Sequence, residues 1–405
     1  MLPSTGVPLM AATENAISNA LASLADPAGV ASALSTDQIL SAMLKISSKV
    51  SDLIFSPGRA PQVELNGALM QVAGLPMLTA DDTRRIAGDL MGKNQQATTS
   101  LRDLGSADLS YSLAGGSRFR VNVFSQRGSY AIVMRVIPHS VPTFEMLGLP
   151  PQLGDIIKLI NGVVLVTGPT GSGKSSTLAA IINKINLEKA WHIVTIEDPI
   201  EFLHQHKGCT IHQRELHSDM PSFSVALRAA LRQAPKVILI GEMRDRETIE
   251  IALEAAETGH LVMSTLHTTD ASKTIERIIG TFPIAEQHVI RQRFSKSFRY
   301  IISQRLLPRK DKGGRVAAIE ILKSTMRTRE YVEKGEHEGK SLLDAIRDGD
   351  LDGMQCFDDA IERMIREGVI EIDTGLGYST NPGNLTLSIS DLLEAKRAEE
   401  SEFEP

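Results

Sequence analysis

The stretch G-P-T-G-S-G-K-S, from Gly168 to Ser175, decides the fold of this 405-residue chain. It matches the phosphate-loop pattern GxxxxGK[ST], in which glycines let backbone N–H groups turn toward phosphate oxygens. An apolar run, Val163–Val166, precedes the stretch, and a helical pattern, Thr177–Ile185, follows it. The N-terminus of such a helix adds a partial positive charge, so the loop by itself predicts a site for ATP or GTP.

The roles predicted within the loop follow from the chemistry of each side chain. Lys174 is expected to contact the outer phosphates, and Ser175 is expected to ligate Mg²⁺. We expect ATP to be held by eight residues of the stretch and its first helical turn: Gly168, Thr170, Gly171, Ser172, Gly173, Lys174, Ser175 and Ser176.

Short apolar runs alternate with helical stretches on both sides of the loop. Such runs are typical of strands buried on both faces of a largely parallel sheet, so the alternation indicates an α/β architecture. One of the helices, Ser222–Gln233, places Phe223, Leu227 and Leu231 at i, i+4 spacing. The predicted strands are Val163–Val166, Ile193–Ile196, Val237–Ile240 and Leu261–Met263.

Ionisable residues follow three of these runs, where ligands bind in open α/β sheets. Glu242 is the candidate base that activates the attacking water, and Glu197 is predicted to serve Mg²⁺ directly or through a water. His267 is predicted to sense or contact the γ-phosphate, and His260 to support it from the other end of the same strand. For each residue taken alone, a solvated charge at a strand end is the alternative.

The strand pattern R-F-R-V-N-V, which begins at Arg118, adds a basic face to the N-terminal part of the chain. Strand alternation places Arg118 and Arg120 on one face. Their guanidinium groups are candidate arginine fingers that reach phosphates at a subunit boundary, and Arg135 is a weaker candidate of the same kind. The alternative is a half-buried strand with a solvated basic face.

Composition limits the function classes. The net charge of −6 argues against a duplex-DNA partner, because phosphate neutralisation usually requires a basic excess. No run approaches the roughly 18 apolar residues of a membrane span. No Lys or Arg precedes Lys45, so the positively charged region of a secretory signal is missing and we expect the N-terminus not to be one. Cys209 and Cys356 lie too far apart for a CxxC metal pair, so we expect two reduced, buried thiols in a cytosolic protein.

The chain is predicted to contain two folded domains and less regular ends. The first residues are rich in Ala, Ser and Leu with hardly any charge, the prolines of P-H-S-V-P disfavour helix, and the last residues are acidic. The predicted segments are a flexible leader at 1–35, an α+β domain at 36–137, a linker at 138–143, an α/β domain at 144–323, a helical region at 324–390 and an acidic tail at 391–405.

Three further motifs accompany the phosphate loop: T-I-E-D-P-I-E-F at Thr195–Phe202, I-L-I-G-E-M-R-D-R-E-T at Ile238–Thr248 and T-G-H-L-V-M-S-T-L-H-T at Thr258–Thr268. They resemble the aspartate box, the atypical Walker B motif and the histidine box of the bacterial secretion ATPases. The R-F-R-V-N strand resembles the arginine-bearing strand of that family. The resemblance extends from about Thr36 to Leu387 and is strongest to the type IV pilus retraction branch, PilT and PilU.

Within that branch the chain is more similar to PilU. PilT proteins typically carry a segment like A-I-R-N-L-I, whereas Thr325–Glu330 reads T-M-R-T-R-E, and this departure questions whether the protein drives retraction alone. Lys236 stands where the family commonly has Asp, and it either retunes hydrolysis at Glu242 or faces the surface. The PilU-like segments are His204–Cys209, Gln213–Glu215, Leu231–Pro235, Pro308–Glu320 and Gly353–Asp358.

The resemblance implies a homo-hexamer whose subunits join a PAS-like N-terminal domain to a RecA-like ATPase domain, with ATP and Mg²⁺ held between the two. It implies a PilT-like partner, an inner-membrane platform protein that receives the work, and a place in the cytoplasm at that membrane.

Two lone cysteines exclude the four-cysteine zinc element of the extension ATPases. The alternatives are a nucleotide-responsive accessory module with little hydrolysis and an ATPase of a type IV secretion system. The motif matches carry family site roles to Lys174, Ser175, Glu197, Glu242, His260 and His267, and less directly to Arg118, Arg120 and Arg135.

Overall fold

The computed structural model describes residues 34–138, 140–337 and 339–394. The chain forms two compact units, which divide between residues 139 and 140. The predicted leader lies outside the described residues up to residue 33, and the predicted acidic tail lies outside them from residue 395. In the ranges that are described, no helix is long and apolar enough to cross a membrane.

The first unit is built on a six-stranded antiparallel sheet in the order β3-β2-β1-β6-β5-β4. Buried side chains of the sheet and of three helices, among them Leu40, Ile86 and Met134, form its core. Strands β4 and β5 form an antiparallel hairpin whose turn contains Gly115. The elements are α1 Thr36–Leu44, β1 Val50–Phe55, β2 Gln62–Leu65, β3 Ala68–Gln71, α2 Ala80–Met91, α3 Gln95–Leu104, β4 Ser106–Ser112, β5 Arg118–Gln126 and β6 Ser129–Ile137.

The second unit is built on a seven-stranded sheet in the order β13-β12-β7-β11-β10-β8-β9. Neighbouring strands are parallel, except that β12 and β13 form an antiparallel pair. Its elements up to the last parallel strand are α4 Phe144–Leu147, a 3₁₀ segment Pro151–Lys158, β7 Gly162–Thr167, α5 Lys174–Glu188, β8 His192–Glu197, β9 Thr210–Glu215, α6 Phe223–Ala230, β10 Val237–Ile240, α7 Arg246–Glu257, β11 Leu261–Leu266, α8 Ala271–Gly280, α9 Ile284–Ser297 and β12 Phe298–Pro308.

The chain continues with β13 and a helical region that covers the end of the sheet. Buried side chains from these helices, including Phe357, Ile361 and Leu385, pack with Leu307 of β12 in a separate apolar cluster. The remaining elements are β13 Arg315–Lys323, α10 Met326–Lys334, α11 Leu342–Arg347, the 3₁₀ turn Asp350–Asp352, α12 Phe357–Arg366, α13 Ile372–Tyr378 and α14 Pro382–Ser388.

Helices cover both faces of the central strands, which explains why the strands read as continuous apolar runs. Every residue of β7, β10 and β11 is buried. One face packs against a core that includes Leu227, Leu253 and Ile275 from α6, α7 and α8. The other face packs against Ile156 and Ile181 from the 3₁₀ segment and α5. This is the arrangement that buried runs in a parallel sheet require.

Several element bounds differ from the sequence predictions. The helix after the phosphate loop begins at Lys174 instead of Thr177, and β11 continues to Leu266 instead of ending at Met263. Helix α6 is shorter than predicted at both ends. Ser222 is its N-cap, with a side chain that accepts a hydrogen bond from the N–H of Val225, and the helix ends at Ala230 with Leu231 as its C-cap. Strand β9 and the β12–β13 pair were not predicted, since their sequences mix polar and apolar residues.

Candidate nucleotide site

The parallel register brings the predicted strand-end residues to one edge of the second unit's sheet. Thr167, the last residue of β7, pairs with Leu266, the last residue of β11. Ile240 of β10 pairs with Ile196 of β8. The residues at these strand ends therefore emerge side by side. Glu197 is the last residue of β8, and Glu242, His267 and the phosphate loop follow β10, β11 and β7. We refer to this side of the sheet as the carboxyl edge.

The phosphate loop has a backbone that only glycine fits at its first position. Gly168 has a φ of 147°, and a Cβ there would lie 2.5 Å from both the carbonyl oxygen of Gln304 and Oγ of Ser172. Gly173 has a φ of 89° and is the N-cap of α5, whose first turn receives no hydrogen bond from a capping side chain. The loop is therefore shaped by its contacts with β12 and leads into an uncapped helix N-terminus, the geometry that binds anions.

The interior of the loop fits a phosphate group. Lys174 is 8% exposed, and its Nζ donates hydrogen bonds to the carbonyl oxygens of Gly168 and Pro169, each at 3.0 Å. Burial lowers the pKa of Lys174, while the nearby carboxylates of Glu201 and Glu242 act in the opposite direction. Ser172 Oγ is buried without a hydrogen-bond partner. Lys174 Nζ now donates to carbonyl oxygens of the loop itself, and Ser172 Oγ has no partner. Phosphate oxygens bound in the loop would accept hydrogen bonds from both groups.

Glu242 lies between two cationic or polar groups. Its Oε2 is 2.6 Å from Nε of Arg244 and 3.7 Å from Nε2 of His267. Only 17% of the Glu242 side chain is exposed, against 46% of the His267 side chain. Burial and the charge of Lys174 lower the pKa of His267, while Glu242 raises it. Glu242 and His267 therefore come together as predicted, and Arg244 is a contact that the sequence analysis did not identify.

Glu197 is fixed by two hydrogen bonds to the same oxygen. Thr195 Oγ1 donates to Glu197 Oε1 at 2.6 Å, and Gln213 Nε2 donates to it at 3.1 Å. Burial raises the pKa of Glu197 to about 7, although these two hydrogen bonds act to lower it. Gln213 also donates to the carbonyl oxygen of Phe202 at 2.9 Å, which ties β9 to the segment after β8.

His260 does not lie at the carboxyl edge of the sheet to which its own strand belongs. His260 precedes β11, and His267 follows it, so the two imidazoles lie at opposite edges of the sheet. The Nδ1 of His260 is 3.0 Å from the carbonyl oxygen of Ala255. Lys236 similarly precedes β10, whereas Glu242 follows it, and the Lys236 side chain is exposed. Lys236 therefore faces the surface, and the suggestion that it lies close to Glu242 is wrong.

The three predicted arginine fingers lie on the sheet of the first unit. Arg120 of β5 is directly opposite Arg135 of β6, and the residues between Arg118 and Val123 alternate in burial as predicted. Nε of Arg135 is 3.0 Å from Oδ1 of Asp52. Arg118 donates to Oγ of Ser112 at 3.3 Å. A phosphate-binding role for these arginines stays a prediction.

Four residues near the site were missed: Thr195, Glu201, Gln213 and Arg244. Thr195 stands two residues before Glu197, so strand alternation could have indicated that the two share a face. Gln213 was noted only as part of a PilU-like segment, and it reaches Glu197 because β9 pairs with β8. Glu201 and Arg244 follow the same strands as Glu197 and Glu242, but lie in loops whose course the sequence does not specify.

The predicted Mg²⁺ ligands, Ser175 and Glu197, are the only protein residues that we assign to a metal. Across the part of the chain that the structure describes, no group of three or more His, Cys, Asp or Glu residues could hold a metal ion. Cys209 and Cys356 are both buried free thiols, and burial raises the pKa of each.

Comparison with known proteins identifies the family. The model of the type II/IV secretion system protein family matches residues 70–365. The type IV pilus retraction ATPase PilT of Pseudomonas aeruginosa is 42% identical over 344 residues, which cover 84% of this chain and 98% of that protein. The type IV pilus ATPase PilU of the same organism is 39% identical over 340 residues, which cover 84% of this chain and 87% of that protein. The PilU match supports the PilU-like interpretation, and the identities to the two proteins are similar.

Solved structures confirm the predicted fold class. A crystal structure of the pilus retraction motor PilT with bound ADP matches with a TM-score of 0.77 and 40% identity, over 87% of this chain and 98% of that one. The Legionella pneumophila ATPase DotB matches with a TM-score of 0.73 and 30% identity, over 84% of this chain and 93% of that one. The predicted PAS-like α+β domain, RecA-like ATPase domain and helical C-terminal region agree with these matches. The chain belongs to the type II/IV secretion system protein family and is an ATPase similar to the pilus retraction motor PilT and to the type IV pilus ATPase PilU.

Proposed function

We propose that the chain hydrolyses ATP as one subunit of a homo-hexameric motor that powers type IV pilus retraction together with a PilT-like motor. The observation that carries the proposal is the placement of Glu242 and His267 next to the phosphate loop. The names of the PilT and PilU relatives supply the link to the pilus. The pilus retraction motor PilT, at 40% identity, is a stronger match than the ATPase DotB, at 30%, and this favours a pilus motor over the alternative of a type IV secretion ATPase.

We assign a role to each residue of the carboxyl edge. Lys174 would exchange its contacts with the loop carbonyls for the outer phosphates of ATP, and Ser175 and Glu197 would hold Mg²⁺, the latter directly or through a water. Bound Mg²⁺ would neutralise the negative charge of the phosphates during transfer of the γ-phosphoryl group to water. Glu242, oriented by Arg244 at 2.6 Å, would orient and deprotonate the attacking water, and His267 would contact the γ-phosphate.

The remaining assignments concern the assembly. Arg118, Arg120 and Arg135 would reach the nucleotide at a boundary between subunits, and His260 would support the site from its end of β11. The domains would follow the predicted division at 36–137, 138–143, 144–323 and 324–390. The hexamer would act in the cytoplasm, at the inner-membrane face of the pilus machine, on a platform protein of that membrane.

The proposal is tested by the ATPase rate of the full chain with and without Glu242. Glu242→Ala is expected to lower kcat by at least about a hundredfold, because general-base catalysis typically contributes that much or more. Glu247→Ala is the matched control: Glu247 is a 56% exposed side chain of α7 that pairs with Arg228. Oligomer mass is measured on the same samples.

Wild-type turnover that survives in Glu242→Ala, or a wild-type chain that binds ATP without turnover, would contradict the hydrolytic role. The second outcome would favour the accessory module. Its specific support is the segment Thr325–Glu330, which forms the N-cap and first turns of α10 with Met326 85% exposed. Full rescue of a deletion strain by Glu242→Ala protein would support the accessory module, and failure of that rescue would count against it.

A further inference from the structure

A buried carboxylate that has no role in the proposed mechanism lies next to the nucleotide site. Glu320, in the middle of β13, is 3% exposed. Its Oε1 accepts a hydrogen bond from the backbone N–H of Ala271 at 2.9 Å and another from Oγ of Ser303 at 3.1 Å. A buried carboxylate is costly unless several donors satisfy it. Here the two donors belong to different elements, α8 and β12.

The hydroxyl of Ser303 extends this contact to the phosphate loop. Thr167 Oγ1 donates to Ser303 Oγ at 3.2 Å, and neither side chain is exposed to solvent. Thr167 is the last residue of β7, immediately before Gly168. A chain of hydrogen bonds therefore runs from the strand that carries the phosphate loop, through Ser303, to Glu320.

The backbone N–H of Ala271 extends the same contact to the segment that bears His267. Ala271 is the first residue of α8, four positions after His267, and Asp270 is the N-cap of that helix. Thr268 Oγ1 and Thr274 Oγ1 are 2.6 Å apart, which closes the turn between His267 and α8. Glu320 thus fixes the start of α8, and through this turn it restricts where His267 can lie.

We propose that Glu320 is a positioning residue for ATP hydrolysis. Through its hydrogen bonds to Ser303 and Ala271, it holds the phosphate-loop strand and the turn that bears His267 in a fixed arrangement. This inference rests on the proposed hydrolytic function. Catalytic groups placed a fraction of an ångström away from their productive geometry lose much of their effect, so a buried brace between two site segments affects kcat more than nucleotide affinity.

The charge state of Glu320 gives the brace a pH dependence. Burial and the carboxylate of Asp270 raise the pKa of Glu320 to about 7, while the Ala271 N–H, the Ser303 hydroxyl and the guanidinium of Arg305 lower it. Asp270 on α8 and Arg305 on β12 are the charged groups that act on it. An ionised carboxylate accepts stronger hydrogen bonds than a neutral acid, so the brace strengthens as pH rises through this range.

The test compares kcat and KM of Glu320→Gln and wild type at pH 6 and pH 8. Glutamine keeps an acceptor oxygen but cannot ionise. We expect kcat to fall about tenfold at pH 8 and only about twofold at pH 6, since a hydrogen bond to a charged group contributes about this much more than a neutral one. KM for ATP is expected to change by less than about threefold. A merely structural residue would lower kcat by one factor at both pH values.

Two further variants make the result specific. Ser303→Ala keeps the carboxylate and its bond to Ala271, but removes the link to Thr167, and it is expected to lower kcat at pH 8 several-fold. Gln355→Leu is the control for general destabilisation. Gln355 is 5% exposed, and its Nε2 donates to the carbonyl oxygen of Ile319 on the same strand, β13. The Gln355→Leu variant is expected to have a lower Tm, while the ratio of its kcat to the wild-type kcat stays the same at pH 6 and pH 8.

Unchanged kcat in Glu320→Gln at pH 8, or an equal loss at pH 6 and pH 8, would overturn the proposal. If Glu320→Gln does not fold, the Ser303→Ala variant decides, and wild-type kcat in it would overturn the proposal. Glu197 also has a pKa of about 7, but it is present in all these variants and cancels in the ratios. A wild-type chain without turnover dependent on Glu242 would instead refute the proposed function itself.

Discussion

The two edges of the seven-stranded sheet carry similar residue types in different surroundings. On β10, Lys236 precedes the strand and is exposed, whereas Glu242 follows it and is 17% exposed beside Arg244. On β11, His260 precedes the strand and contacts a backbone carbonyl of α7, whereas His267 follows it and lies 3.7 Å from Glu242. The same strands thus carry ionisable residues at both ends, and at the carboxyl edge Glu242 and His267 lie 3.7 Å from one another.

Burial of the ionisable groups, more than their residue type, therefore distinguishes the carboxyl edge from the opposite edge. At the carboxyl edge, burial shifts the pKa of Glu197 and of Lys174 toward the neutral form of each. At the opposite edge, half-buried His192 hydrogen-bonds exposed His212 at 2.9 Å. Perturbed ionisable groups that surround an anion-binding loop are typical of active sites.

The largest effect in this comparison is expected from a methyl group added at a glycine of each edge. Gly168→Ala would place a Cβ 2.5 Å from Gln304 O and Ser172 Oγ, whereas Gly259, with a φ of 106°, has no atom within 4 Å of such a Cβ. Gly168→Ala is expected to weaken ATP binding by at least about tenfold. Gly259→Ala is expected to cost about 1 kcal/mol of stability through backbone strain and to leave ATP affinity within about twofold.

Equilibrium titration with ATP measures both affinities, and thermal unfolding measures both stabilities. If Gly259→Ala weakened ATP binding as much as Gly168→Ala, the two edges would not differ as we describe.

A smaller effect is expected from removing the buried charge of Glu197. Burial raises the pKa of Glu197 to about 7, so the folded state favours the protonated carboxyl. The contribution of Glu197 to the free energy of unfolding is therefore fully present below the ordinary carboxyl pKa and is lost as pH rises through 7. Glu197→Gln is therefore expected to leave Tm near the wild-type value at pH 5 and to raise it by a few degrees at pH 8. Glu276→Gln, at an exposed position of α8, is the control and should change Tm little at either pH.

Differential scanning calorimetry at the two pH values measures these shifts. An increase in Tm that is equal at pH 5 and pH 8, or a decrease at pH 8, would show that burial of the Glu197 charge does not destabilise the fold.

The sequence predicted the central part of the fold because its strands are buried on both faces. The runs that became β7, β8, β10 and β11 are continuous and apolar, and the phosphate loop orients the first of them. Strand β9 reads T-I-H-Q-R-E, and β12 and β13 mix arginine, glutamine and glutamate with apolar residues. Such strands acquire their conformation from pairing with a neighbour, which local sequence does not encode.

The candidate site was predicted where its residues lie within a few positions of the end of a recognisable strand. Glu197, Glu242 and His267 do so, and the structure brings them together at the carboxyl edge. Gln213, Ser303 and Glu320 contact the same region from strands that were not predicted, and their hydrogen bonds depend on the register between β8 and β9 and between β12 and β13. Residues of this kind become visible only once the sheet order is known.

The most direct test of the account is equilibrium binding of ATP to two lysine variants, one from each edge. Lys174 is buried in the phosphate loop, and Lys236 is exposed before β10. Lys174→Ala is expected to weaken ATP binding by at least about tenfold, since it removes the cation placed for the outer phosphates. Lys236→Ala is expected to bind ATP within about twofold of wild type. Wild-type affinity in Lys174→Ala, or an equal loss in both variants, would contradict the assignment of the carboxyl edge as the nucleotide site.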